Sequence, residues 1–375
     1  MKVNQKSGIA KECFLARTIF ETDTLKQVPT RDGFGEGLVQ AAEKNKNIVA
    51  LCADLTESTR ILPFKERFPD RFIQVGIAEQ AMASIAAGMS LVGKVPFIAS
   101  YACFSPGRNW EQIRTCVCLQ NSNVKIIGAH AGVSVGPDGA THQMIEDIAL
   151  TRVLPNMIVI VPCDAMEAKK ATLTIAKFKG PAYLRLGREK SPVFTSEKTP
   201  FKIGRAEILR HGNDLTLIGA GPLLYEVLLA AETLKKEGIE ARVINCHTIK
   251  PLDTKTIITA AKETGAVVTI EEAQIAGGLG GLICETLAST IPIPVERIGM
   301  QDRFGESGEP KELLEAFGLT APFIVMAAHR VLQRKKGERV SVIPEYITTS
   351  KERLMEMQKN IMEKALKSAP KKWKK

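Results

Sequence analysis

Six strand-length apolar runs, "IVALCAD", "FIQVGIA", "VPFIASYA", "VKIIGAHA", "MIVIVPCD" and "AYLRLG", recur between residues 48 and 187. Stretches with helical periodicity separate them, for example "NWEQIRTCVCLQ" and "AMEAKKATLTIAKF". A strand that is apolar on both faces must be covered on both faces. Alternation with helices supplies that cover in a parallel sheet. A helix over 32–45 ("DGFGEGLVQAAEKN") opens the series. The pattern pauses at 187–204, "GREKSPVFTSEKTPFKIG", where prolines and mixed charge replace periodicity. It resumes in "DLTLIGAG", "LLYEVLLAAETLKKEG", "EARVINCHTIKP", "AVVTIEEAQ", "GGLGGLICETLAST" and "PVERIGMQ". The expectation is two consecutive α/β domains with mostly parallel sheets covered by helices. Their bounds are an N-terminal arm (1–27), a first domain (28–190), a linker (191–203), a second domain (204–332) and a basic tail (333–375).

At 375 residues and 45% hydrophobic, the chain can bury two cores. No apolar run approaches the ~18–20 residues that span a bilayer. The N-terminus shows neither a cleavable apolar segment nor the acid-poor pattern of a transit peptide. A cytoplasmic protein without membrane contact is expected. The net charge of +10 is concentrated at one end: residues 334–375 hold 13 Lys and Arg against 5 Asp and Glu. The remainder is nearly neutral, so the excess reads as a solvated extension rather than a nucleic-acid face. Eight cysteines form no CxxC pair, and most sit in apolar runs, where a free thiol acts as a small core residue.

Open α/β sheets bind ligands beyond the carboxyl ends of their strands. In the first domain those positions carry Asp54, Thr56, Glu57 and Ser58 ("CADLTEST"), Glu79 ("QVGIAEQ"), and Tyr101 and Phe104 ("IASYACF"). They also carry His130, Asp138 and His142 ("IGAHAGVSVGPDGATHQ") and Arg188 ("LRLGR"), with Arg31 just before the first helix. Glu79 is a lone acid between a strand and a helix of small residues. It would serve a helix dipole, or chemistry that needs an isolated carboxylate in an apolar setting. Arginines and a hydroxyl suit phosphate oxygens, and two imidazoles near an acid suit proton transfer. "GAGPLL" and "GGLGGL" fail the dinucleotide fingerprint. The sequence shows no P-loop, nucleophile elbow or metal-ligand cluster.

Ten stretches in this order resemble the C-terminal half of transketolase across about residues 28–330. They are "TRDGFGEGL", "ADLTEST", "VGIAEQAMASIAAGM", "GRNWEQIR", "PDGATHQMIEDIALTRVLPNM", "PCDAMEA", "LRLGR", "IKPLD", "EEAQIAGGLGG" and "RFGESGEPKELLEAFGL". The resemblance implies a thiamine-diphosphate pyrimidine-binding fold followed by the transketolase C-terminal fold. The family's other half holds the cofactor's diphosphate and Mg²⁺ through Gly-Asp-Gly, which this chain lacks. It therefore resembles one subunit of a split transketolase, implying an N-terminal partner chain, an α2β2 heterotetramer with self-association of this chain, and sugar-phosphate substrates of the pentose phosphate pathway.

Residue by residue, Glu79 matches the glutamate that hydrogen-bonds the aminopyrimidine and readies the thiazolium carbon for deprotonation. Phe104 matches the ring stacked on the pyrimidine, with Tyr101 nearby, and Asp54 and Leu55 match residues facing the thiazolium. His130 and His142 match the pair at donor and acceptor oxygens, Asp138 the acid reading a sugar hydroxyl, and Arg31, Ser58 and Arg188 the sugar-phosphate clamp. After Phe104 the chain reads "SPGRNW", where larger transketolases carry another aromatic. Three other readings share much of this pattern: a 1-deoxyxylulose-5-phosphate synthase-like enzyme, the β subunit of a pyruvate-type dehydrogenase, and a non-catalytic homologue with a nucleic-acid-binding tail. "ADLTEST" and "GRNWEQIR" favour transketolase.

Overall fold

The computed structural model describes residues 8–338; residues 1–7 of the arm and 339–375 of the tail lie outside the described residues. The first sheet has seven strands. In spatial order they are Thr248–Lys250, Ile158–Ile160, Ala182–Arg185, Lys125–Ala129, Val95–Tyr101, Ile48–Cys52 and Phe72–Gln74. All neighbours are parallel except Thr248–Lys250, which runs antiparallel to Ile158–Ile160.

Successive side chains of a strand point to opposite faces, and both faces are packed here. Ile48, Ala50, Phe97 and Ala99 meet Phe34, Leu38 and Ala171 on one side. Val49, Leu51 and Ile98 meet Met82, Ala83, Ala86 and Val117 on the other. The helices Thr30–Lys44 and Ala165–Ile175 cover the first side and touch each other closely. A Cβ at Gly33 would fall 1.8 Å from the Ala165 carbonyl oxygen, so only glycine allows that approach. Asp164 caps the second of these helices by accepting from the Glu167 amide at 2.9 Å.

The second sheet orders Val295–Met300, Val267–Gln274, Leu215–Gly219, Ala241–Asn245 and Glu207–Arg210, with only the last strand antiparallel. Leu224–Lys236 and Ala321–Lys335 cover one face, and Thr254–Thr264 and Leu279–Ala288 the other. Ala321–Lys335 is part of the most apolar long helical stretch; its Ile324, Ala327 and Val331 are buried in this core. Residues 8–10 of the arm add to the edge strand, where the Ala10 amide donates to the Leu209 carbonyl.

One local feature is unmarked in the sequence, and one local expectation is corrected. "EARVINCHTIKP" is not one strand. Ala241–Asn245 lies in the second sheet, and after a bend Thr248–Lys250 becomes the edge of the first. The Cys246 amide donates to Gly219 of one sheet, while the His247 carbonyl accepts from Val161 of the other, so the bend is pinned to both. "NWEQIRTCVCLQ" makes only one α-turn, Trp110–Gln112, before widening into a π-helix over Ile113–Cys118.

Candidate active site

The central parallel strands end at one edge of the first sheet and bring candidate residues together there. Val95–Tyr101 ends on Tyr101, Lys125–Ala129 leads into His130, and Ile48–Cys52 leads into Asp54 and Leu55. Arg31 is the second residue of the helix Thr30–Lys44, and Glu79 is the first residue of the helix Glu79–Leu91. Asp54 and His130 are both left-handed, with φ of 59° and 56°. That conformation is costly for non-glycine residues and concentrates at functional sites.

A continuous line of contacts crosses this edge. The Glu79 carboxylate is 1% exposed and accepts from Arg108 Nη1 at 2.6 Å. The Arg108 guanidinium lies 4.5 Å above the Phe104 ring. Phe104 meets the His142 ring edge-on at 5.6 Å and lies 6.0 Å from Tyr101, nearly parallel to it. Tyr101 stacks on His130 at 3.8 Å, and His130 Nε2 is 3.2 Å from Arg31 Nη1. Arg31 also donates to the Ser58 carbonyl at 2.8 Å. Arg188 donates to the Val135 carbonyl at 2.6 Å and is close enough to act on the charge of both Arg31 and His130.

Arginine has only donors, so His130 Nε2 must accept and its proton must sit on Nδ1. That Nδ1 is buried without a hydrogen-bond partner among the described residues. Burial first, then Arg31, Arg188 and His142, push the His130 imidazole down to about 3. At neutral pH it is an uncharged ring with one N–H to offer. His142 is half-buried, and its Nδ1 lies 2.9 Å from the Thr141 hydroxyl.

The loop carrying both histidines is clamped by the second domain. Glu272 accepts from the Ser134 amide at 2.6 Å, and Gln143 Nε2 donates to Val133, Gly136 and Glu306 carbonyls. Arg185 bonds the Asp147 carboxylate at 2.8 Å and reaches the Glu272 carbonyl at 2.8 Å.

The pattern of folds and residues has counterparts in known proteins. The family model "Transketolase, pyrimidine binding domain" matches residues 26–193, and "Transketolase, C-terminal domain" matches 204–324. The chain belongs to the transketolase family. A putative transketolase C-terminal section from Methanocaldococcus jannaschii is 43% identical, covering 82% of this chain and 96% of the relative. The 6-deoxy-6-sulfo-D-fructose transketolase subunit SqwH of Clostridium sp. (strain MSTE9) is 41% identical over 81% of this chain and 95% of its own. A solved structure, described as a split gene transketolase, inactive beta4 tetramer, superposes with a TM-score of 0.77 at 44% identity. It covers 82% of this chain and 99% of the solved one. Family membership implies dependence on thiamine diphosphate.

Within this transketolase fold, Glu79, Phe104, Tyr101, His142, His130 and Arg31 form the contact line, with the Ser58 backbone held by Arg31. Leu55 is half-buried at the same edge; its carbonyl accepts from Thr59. Asp54 is exposed, and its amide donates to Gln74. Asp138 is exposed in the turn before His142. One expectation is corrected: Glu79 is buried but not isolated, because Arg108 forms an ion pair with it. Sequence reasoning passed over Arg108, although its spacing of four from Phe104 in a tight turn places it over that ring. Asn109 was missed too; its Nδ2 donates to the Glu79 carbonyl at 3.1 Å.

Proposed function

We propose that this chain is the C-terminal subunit of a two-chain, thiamine-diphosphate-dependent transketolase that moves a two-carbon ketol unit from a ketose phosphate to an aldose phosphate. The observation that carries the reading is the contact line from Glu79 to Arg31 at the strand ends. It joins a buried acid, an aromatic wall, two imidazoles and a guanidinium. When bound, the cofactor would supply a carbon nucleophile and an electron sink for the ketol transfer. The residues present fit its pyrimidine half: a flat nitrogen-bearing group already lies on Phe104 and bonds Glu79, in the form of Arg108.

In this reading Glu79 hydrogen-bonds the pyrimidine ring, Phe104 stacks on it with Tyr101 behind, and Asp54 and Leu55 face the thiazolium. His130 offers its Nδ1–H to a substrate oxygen as a neutral donor. His142, held through Nδ1 by Thr141, leaves Nε2 for a sugar oxygen and the proton moved there. Asp138 reads a sugar hydroxyl, and Arg31, Ser58 and Arg188 take the phosphate. Mg²⁺ and the diphosphate fall to a partner chain bearing Gly-Asp-Gly, in an α2β2 assembly of the cytoplasmic pentose phosphate pathway. The description of the similar beta4 tetramer as inactive supports that division of labour.

The test is co-expression with such a Gly-Asp-Gly chain, followed by a ketol-transfer assay. Activity is expected only when both chains are present. Tight Mg²⁺-dependent cofactor binding and turnover by this chain alone would overturn the reading.

A further inference from the structure

The Arg108 guanidinium makes the two contacts that the reading above gives to the cofactor's aminopyrimidine. Its central carbon lies over the Phe104 ring, 4.5 Å from the centroid, and its Nη1 donates to Glu79 at 2.6 Å. Two groups cannot share that space. We propose that Arg108 is a stand-in that holds the pyrimidine subsite closed in the cofactor-free chain, and that it swings out as the cofactor enters. The proposal rests on reading Glu79 and Phe104 as the pyrimidine pocket.

Three features make the exchange feasible. First, a carboxylate that is 1% exposed needs a hydrogen-bonded partner, and an unpaired one is costly to keep buried. Arg108 meets that need before the ligand arrives, and an incoming N–H donor meets it afterwards. Second, the Arg108 side chain is 44% exposed, so its stem already borders solvent and can rotate outward. Third, the backbone need not move. Asn109 ties the turn to the Glu79 carbonyl and to Ser105, and the Gly107 amide donates to Ala102. A Cβ at Gly107 would lie 2.1 Å from the Cys103 carbonyl oxygen, so the turn that presents Arg108 depends on glycine. The motion is confined to one side chain hinged on a fixed turn.

A stand-in and an ordinary ligand contact respond to ligand with opposite signs. A contact residue is shielded when ligand binds, whereas a displaced one is uncovered. The full-length chain is titrated with 4-amino-5-(aminomethyl)-2-methylpyrimidine, the pyrimidine half of the cofactor. The reaction of Arg108 with 2,3-butanedione is followed by peptide mass spectrometry. Arg108 is expected to react faster with the pyrimidine bound. Calorimetry on Arg108→Met should show about tenfold tighter pyrimidine binding, the factor recovered when a pocket open in one molecule in ten is held open. Arg108→Lys, which keeps the charge but not the flat face, should fall between. Circular dichroism and cooperative melting establish that each variant is folded. Arg108 protected by the pyrimidine, or Arg108→Met binding it no better than the parent, would overturn the stand-in and leave the pocket reading intact. Absence of pyrimidine binding to parent and variant alike would remove the pocket reading and this inference together.

Discussion

Arg31 donates through one nitrogen, Nη1, to both the Ser58 carbonyl and His130 Nε2, at 2.8 and 3.2 Å. A residue expected only to clamp phosphate thus also fixes which nitrogen of a buried imidazole carries the proton. Its Nε is buried without a partner among the described residues, so the guanidinium has binding capacity left. Nitrogen NMR of the ring should show His130 unprotonated at Nε2 and protonated at Nδ1. In Arg31→Ala a neighbouring cation is lost, so the midpoint should climb from about 3. It should stay below the ordinary 6.5, because burial is the larger cause. An unmoved spectrum would uncouple the pair.

Glu79→Gln keeps the volume, the first-turn position and an oxygen that can accept from Arg108. The helix Glu79–Leu91 and the turn around Asn109 should therefore persist. What the amide lacks is a carboxylate able to share a proton with a ring nitrogen. Turnover of the two-chain enzyme should fall by ~10²-fold or more, the scale of lost acid–base catalysis. The check is kcat alongside sedimentation of the assembly. Activity within a few-fold of the parent would return Glu79 to a helix-dipole role.

Glu79 and Phe104 could be singled out from sequence because local signals mark them. One is a lone acid where a strand run gives way to small helix formers, and the other an aromatic at a strand end. The two-face cover of the first sheet was equally legible, since Ile48 to Leu51 are apolar without a break. Other features depend on contacts far apart in the chain. Glu272 holds Ser134 from 138 residues away, and Gln143 reaches Glu306 from 163. Thr248–Lys250 leaves its own domain for the other sheet, and nothing in "EARVINCHTIKP" marks the bend. Arg108 was hidden differently: its place over Phe104 follows from a turn closed by Gly107, which propensity and periodicity do not describe.

His247 sits at that bend, fully buried, stacked on Phe201 at 4.4 Å with Nδ1 2.9 Å from the Thr248 hydroxyl. Burial pushes its imidazole down to about 3. The unfolded chain binds this proton below about 6.5 and the folded chain only below about 3, so stability falls as pH drops through that window. His130 acts in the same direction. His247→Phe keeps a flat ring against Phe201 and removes one titrating group. Denaturant melts between pH 6.5 and 3 should show a slope shallower by about 1.4 kcal/mol per pH unit, one proton's worth. An identical slope would mean that His247 charges without unfolding the bend.

The phosphate clamp separates two roles for Arg188, which is half-buried and donates to the Val135 carbonyl at 2.6 Å. That bond ties it to the loop between His130 and His142, so a purely structural role would be to hold the loop. If it also grips the sugar phosphate, Arg188→Ala removes a charge-assisted contact worth roughly 1.5–3 kcal/mol. KM for a ketose phosphate should then rise about tenfold to a hundredfold. Unphosphorylated hydroxypyruvate, which cannot reach that contact, should be used almost as before. Loss of the loop bond alone would disturb His142 and slow both donors together, through kcat rather than KM. Running the two donors side by side on the assembled two-chain enzyme decides between them. An equal effect on both removes Arg188 from the phosphate site, and a selective rise in KM places it there.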